Sequence, residues 1–137
     1  MTAGRARRDP LHVVLIDQDR TFTATYKLTL ETAGMEVLIA GGGRAGLELV
    51  SAVLPDVVVM DLALHDIDGL GLLAALKSLE VTRHIPIGIL DVQANEGTMK
   101  VCHDLGAVGY LAKTLITPVM LAELLPSWAA ASGNVER

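Results

Sequence analysis

Three charged residues close three apolar runs: Asp17 follows Val13-Val14-Leu15-Ile16, Asp61 follows Val57-Val58-Val59-Met60, and Lys113 follows Tyr110-Leu111-Ala112. Two carboxylates and an ammonium at strand ends can hold a divalent cation and a phosphoryl group together. The acids supply hard oxygens to the metal, and the lysine balances charge on the phosphate. A carboxylate in such a set can itself be the nucleophile, provided its own charge and that of the incoming group are both offset. The spacing therefore poses a question about phosphate.

Only a fold that brings those strand ends to one edge can assemble the set. Five short apolar runs recur at 12–16, 35–39, 56–60, 85–90 and 107–111, four of them rich in Val, Ile or Leu with little alternation, as in strands covered on both faces. Helical spacing lies between them. Residues 20–33 place Phe22, Tyr26, Leu28 and Leu30 in a stripe that ends at Gly34, residues 44–54 carry Leu47, Val50 and Leu54, and residues 68–79 carry Leu72, Leu73, Leu76 and Leu79. A fourth helix is expected over 94–105, ending at Gly106. Thr117-Pro118 reads as an N-cap followed by proline at the first helical position, opening a last helix through Leu121, Leu124 and Leu125. Pro126 is expected to kink or end that helix, and 129–137 to fray. Strand and helix alternating five times predict right-handed crossovers and a doubly wound, mostly parallel α/β sheet. Ligands of such sheets gather outside the carboxyl ends of the strands, where the three charged residues lie.

At 137 residues the chain is sized for one domain, read as 11–131 with an N-terminal arm at 1–10 and a tail at 132–137. Its 51% hydrophobic content excludes a disordered chain, and a net charge of −5 argues against direct contact with nucleic acid, which needs a cationic face. The lone Cys102 cannot close an intrachain disulfide, so a reducing, cytoplasmic setting is expected. No apolar run reaches the roughly 18–20 residues of a membrane helix. The basic Arg5-Ala6-Arg7-Arg8 is read as a solvated terminus, His65, His84 and His103 are too isolated to make a metal set, and His12 reads as a strand-start residue.

One local motif competes. Gly41-Gly42-Gly43-Arg44-Ala45-Gly46 satisfies G-x-G-x-x-G between a strand and a helix, with Asp61 twenty residues beyond its first glycine, which reads as a dinucleotide-binding module. Against that reading, a strand–helix unit precedes the motif, and only about 90 residues follow it, leaving no second domain to supply chemistry. The bland alternative is a glycine-loosened turn entering the second helix.

Five segments in order carry a broader likeness: Val13 to Asp19, Pro55 to Leu62, Asp66-Ile67-Asp68-Gly69, Pro86 to Leu90, and Gly106 to Lys113. On these, residues 12–125 resemble the receiver domain of two-component response regulators. The resemblance implies a flavodoxin-like, five-stranded parallel sheet in the order 2-1-3-4-5. It also implies a signalling module, not an enzyme, that takes a phosphoryl group from a histidine kinase or phosphotransfer protein. Carried over by position, Asp61 matches the phosphoacceptor and Asp17 an acid of a Mg²⁺ site. Ala63 matches the residue lending a backbone carbonyl to the metal, Lys113 the phosphate-pairing lysine, and Tyr110 the aromatic that changes rotamer on activation. Output is expected through contact with a downstream protein target, at the face formed by the fourth helix, fifth strand and fifth helix.

The likeness breaks at several positions near the site. Gln18 stands where the family has a second metal-binding acid, so Mg²⁺ is expected to bind weakly. Asp91 replaces a Ser or Thr whose hydroxyl would bond the phosphoryl group, Val92 replaces a small residue at the entrance, His65 replaces a proline, and Thr114 replaces the proline after the lysine. Asp91 matters most in energy. Two unit charges about 5 Å apart at an effective dielectric near 20 repel by roughly 3 kcal/mol, and a phosphoryl dianion would feel more. Because the fourth and fifth strands are neighbours in the family's order, Asp91 is expected to pair with Lys113 at rest. These departures keep open a degenerate pseudo-receiver that binds a partner without phosphate.

Overall fold

A computed structural model describes residues 9–131 of the chain. It contains β1 (His12–Ile16), α1 (Arg20–Thr32), β2 (Glu36–Ala40), α2 (Gly43–Val53), β3 (Val57–Met60), α3 (Gly69–Ser78), β4 (Ile87–Asp91), α4 (Glu96–Asp104), β5 (Gly109–Ala112) and α5 (Pro118–Ala130), with a 3₁₀ turn at Lys113–Leu115. All strand pairs are parallel, and the order is β2-β1-β3-β4-β5.

The pleat explains why the central strands read as unbroken apolar runs. Successive side chains point to opposite faces, and each face has its own core. Val14, Ile16, Val58, Met60, Ile87 and Ile89 pack with Leu72, Leu73, Leu76 and Cys102 on one side. Val13, Leu15, Val57, Val59 and Leu90 pack with Tyr26, Leu30, Leu121, Leu125 and Trp128 on the other. Polar side chains then set where the helices start. Asp19, Asp68, Asn95 and Thr117 cap α1, α3, α4 and α5, each accepting the backbone N–H three residues on. Gly34 and Gly106 follow α1 and α4 at φ +95° and +104°, where a side chain would be strained.

The expected fraying from residue 129 is corrected. α5 does not end at Pro126 but continues to Ala130, so residues 129 and 130 are helical; the rest of the expected tail, 132–137, lies outside the described residues, as does most of the arm at 1–10. The reason is Trp128. Gly88 of β4 and Gly109 of β5 are cross-strand neighbours, and a Cβ on either would come within 2.0 and 2.4 Å of the Trp128 ring. The missing side chains make a slot for the indole, and burying that ring holds the last turn against the hydrogen bond that proline cannot donate.

Candidate functional site

β1 and β3 are adjacent in the middle of the sheet, and both end in a buried aspartate: Asp17 and Asp61 are each 4% exposed. The two carboxylates are held alike. The outer oxygen of each accepts the backbone N–H two residues on, Asp17 from Asp19 at 2.9 Å and Asp61 from Ala63 at 3.0 Å. The other oxygen faces Lys113, whose Nζ lies 2.8 Å from Asp17 Oδ2 and 3.0 Å from Asp61 Oδ2. Short side-chain-to-backbone turns thus aim two acids at one cation.

Lys113 is carried there by the 3₁₀ turn that follows β5. Its ammonium also stands 4.1 Å from the centroid of the Phe22 ring, which stacks on Tyr26 at 4.1 Å. A cation over an aromatic face is attracted by the ring quadrupole. Phe22 had been read only as part of an apolar stripe. The signal that could have found it is its place in the first turn of the helix after β1, directly over the carboxyl ends of the strands.

The ionisation equilibria are set by burial working against the contacts within the cluster. Burial pushes the Asp17 carboxyl up from its ordinary value, and the Lys113 hydrogen bond and the Asp19 N–H only partly oppose it. For Lys113, burial acts to lower the pKa, but the hydrogen bonds and charges of Asp17 and Asp61 outweigh it and raise the ammonium above its usual range. One cation is shared by two acids. The cluster carries a net charge of −1 and has room, electrostatically, for a further positive charge.

The donor set fits Mg²⁺ better than a softer or more demanding metal. Mg²⁺ is held by one or two carboxylates and keeps several waters, and two carboxylates are what this site offers. Among the described residues there is no group of three or more His, Cys, Asp or Glu suited to a metal. Gln18 and Ala63, on the loops that follow β1 and β3, are exposed.

Asp91 is elsewhere. The expected pair with Lys113 does not form: Asp91 Oδ2 accepts the Tyr110 hydroxyl at 2.5 Å, and Tyr110 Oη in turn accepts the Asn95 N–H at 3.3 Å. Register gives the reason. Asp91 pairs with Ala112, so it shares a face with Tyr110 two residues earlier, on the side where Ile87 and Ile89 pack. Lys113 lies over Phe22, which packs on the opposite side. Burial first and the Asp91 hydrogen bond second push the Tyr110 phenol up to about 12. Val92 is exposed on the loop after β4 (52%), and Leu115 more so (77%).

The glycine motif has a structural use. The N–H groups of Gly43 and Arg44, at the start of α2, donate to Asp66 at 2.8 and 3.0 Å. A carboxylate of the chain's own thus sits where a pyrophosphate would bind a helix N-terminus, and those two N–H bonds hold the Asp66 carboxyl below its usual range. A Cβ on Gly43 would come within 2.2 Å of Ile67, and one on Gly46 within 2.7 Å of Ile16. Close packing explains these glycines without a ligand.

Comparison with known proteins agrees with the fold. A model of the response regulator receiver domain matches residues 13–125. The chain belongs to the response regulator receiver family. It is 31% identical over 116 residues to the response regulator MprA of Mycolicibacterium vanbaalenii, an alignment that covers 85% of this chain and 48% of MprA, so the chain spans about half that relative's length. A CheY-like receiver domain protein of Methanospirillum hungatei has the same fold, with a TM-score of 0.83 at 21% identity over 92% of this chain and 98% of its own. The Mn²⁺-bound form of response regulator Rcp1 also superposes, with a TM-score of 0.74 at 21% identity over 87% of this chain and 94% of its own. Membership removes the dinucleotide-binding reading. Receiver domains are signalling modules of two-component systems that interact with histidine kinases or phosphotransfer proteins and generally bind Mg²⁺ at an acidic pocket. No helix among the described residues is long and apolar enough to cross a membrane.

Proposed function

We propose that this receiver accepts a phosphoryl group on Asp61 from a phosphohistidine of a histidine kinase or phosphotransfer protein. An oxygen of the Asp61 carboxylate forms the new bond to phosphorus, and the phosphorus–nitrogen bond breaks, its electron pair leaving with the donor imidazole. The observation that carries this reading is the single ammonium shared by Asp17 and Asp61 at 2.8 and 3.0 Å. Asp17, Asp61, the Ala63 carbonyl and, weakly, the Gln18 amide would hold Mg²⁺, which supplies charge neutralisation for the incoming phosphoryl group. Lys113 keeps Asp61 oriented and is already placed to pair with the added oxygens. Phe22 limits the water that competes for the ammonium.

Output goes by protein contact at the α4–β5–α5 face, where Met99, Val119 and Met120 are exposed apolar residues. A phosphorylated histidine donor, incubated with the protein and Mg²⁺, is expected to leave a phosphate that neutral hydroxylamine removes, because an aspartyl phosphate is an acyl phosphate. A hydroxylamine-stable phosphate would place the group on another residue and overturn the assignment.

A second reading has one observation in its favour. Asp91 puts a carboxylate in place of a hydroxyl, and it is engaged with Tyr110. A pseudo-receiver that displays its surface without phosphate would have that arrangement, and a chain that binds its partner equally as Asp61→Asn would support it.

A further inference from the structure

Tyr110 stands where three elements meet. Its hydroxyl donates to Asp91 at the end of β4 and accepts from the backbone N–H of Asn95, the residue that caps α4. Its ring lines a groove of about 410 Å³ between α4 and β5, together with Met99, His103 and Ala107. A phenol has one proton to give, and here it goes to a carboxylate in a short, charge-assisted bond. Turning the ring out of the groove would break that bond and release the Asn95 N–H as well.

Asp91 cannot follow a phosphoryl group as a hydroxyl could. An ionised carboxylate has no proton to donate and is repelled by added negative charge at the acid cluster. The two polar clusters draw on β5 and on the turn that follows it yet share no side chain, since Lys113 is engaged by Asp17 and Asp61 and Tyr110 by Asp91. We propose that Asp91 is a positioning residue for Tyr110, pinning its ring in one rotamer as a wall of the α4–β5 groove. The groove is thereby held in a single state whatever the charge on Asp61. The first half of this inference stands on geometry alone, and the second rests on the pseudo-receiver reading, in which that surface is displayed without phosphate.

The test is solution NMR on the full chain, reading the χ1 couplings and ring shifts of Tyr110 in the parent protein and in Asp91→Asn and Asp91→Ala. One rotamer is expected in the parent. The same rotamer should dominate in Asp91→Asn, which keeps an acceptor, and averaged couplings should appear in Asp91→Ala; dispersed amide spectra in all three show that each is folded. Unchanged couplings in Asp91→Ala overturn the positioning role. Adding beryllofluoride with Mg²⁺, a mimic of the phosphoryl group, is expected to move amides at 17 and 61–63 in the parent without moving Tyr110 or 96–104. Tyr110 shifts in the parent would overturn the independence of the groove. Absence of any shift near Asp61 would instead count against the phosphoacceptor reading, and the couplings decide the positioning role by themselves.

Discussion

Two acidic positions at the same end of the sheet have been resolved in opposite ways. At the ends of β1 and β3, Asp17 and Asp61 are almost fully buried and share one ammonium, so the cluster is short of positive charge and open to a cation. At the end of β4, half-buried Asp91 has taken a neutral phenol, which satisfies one oxygen and leaves the charge to the solvent that reaches it. The first arrangement suits a site where charge arrives and leaves. The second suits a strut. Strand position alone does not make an acid functional; what counts is whether an uncompensated charge is also shut away from water.

The largest effect that can break this comparison is removal of the shared cation. Lys113→Ala leaves two buried carboxylates facing one another, and losing one partner of a buried ion pair costs on the order of 3 kcal/mol. Urea denaturation should show that loss, and added Mg²⁺ should recover part of it. A loss unaffected by Mg²⁺ would mean that the acids do not form a cation site.

The strand that carries Tyr110 and leads into Lys113 can be tested next. Gly109→Ala places a methyl group where Trp128 lies, with its Cβ 2.4 Å from the ring, and overpacking of that kind costs about 1–3 kcal/mol. Thermal unfolding should report it, and Trp128, the one tryptophan in the chain, should change its fluorescence. Stability equal to the parent would show that the glycine slot is not what seats α5.

Much of the fold and of the acid cluster was legible in the sequence because strand period and strand ends are local. Val13–Ile16 and Val57–Met60 have no polar residue to interrupt a buried strand, so their following aspartates had to fall at the carboxyl edge. The Asp91 partner was misread because adjacency of β4 and β5 was used without their register. Residues 87, 89 and 91 share one face, as do 110 and 112, and that parity pairs Asp91 with Tyr110 and leaves Lys113 for the other acids. The capping role of Asp66 was not legible, for a different reason. Its partners, the N–H groups of Gly43 and Arg44, are more than twenty residues away in sequence, and no pattern of side chains announces a carboxylate that caps another segment's helix.

The phenol offers a pH test of the strut. Burial and, after it, the Asp91 hydrogen bond push the Tyr110 phenol up to about 12 in the folded protein, from an ordinary value of 10.0. The neutral form is therefore favoured by folding, and the stability it contributes is present below about pH 10 and lost as pH rises through about 12. Ultraviolet titration of the parent should show a late tyrosine, and Asp91→Thr should bring it earlier; an unchanged titration would mean that Asp91 does not hold the hydroxyl. The smallest expected change is at the metal. Gln18→Asp should tighten Mg²⁺ binding on the order of tenfold, about 1.4 kcal/mol, measurable by calorimetry. Equal affinity would place residue 18 outside the metal site.

The measurement closest to the central claim is intact mass after exposure to a small phosphodonor and Mg²⁺, on the parent chain and on Asp61→Asn. Gain of one phosphoryl group by the parent and none by Asp61→Asn is the predicted result. A parent chain that stays unmodified, or an Asp61→Asn chain that gains the same mass, would contradict the account.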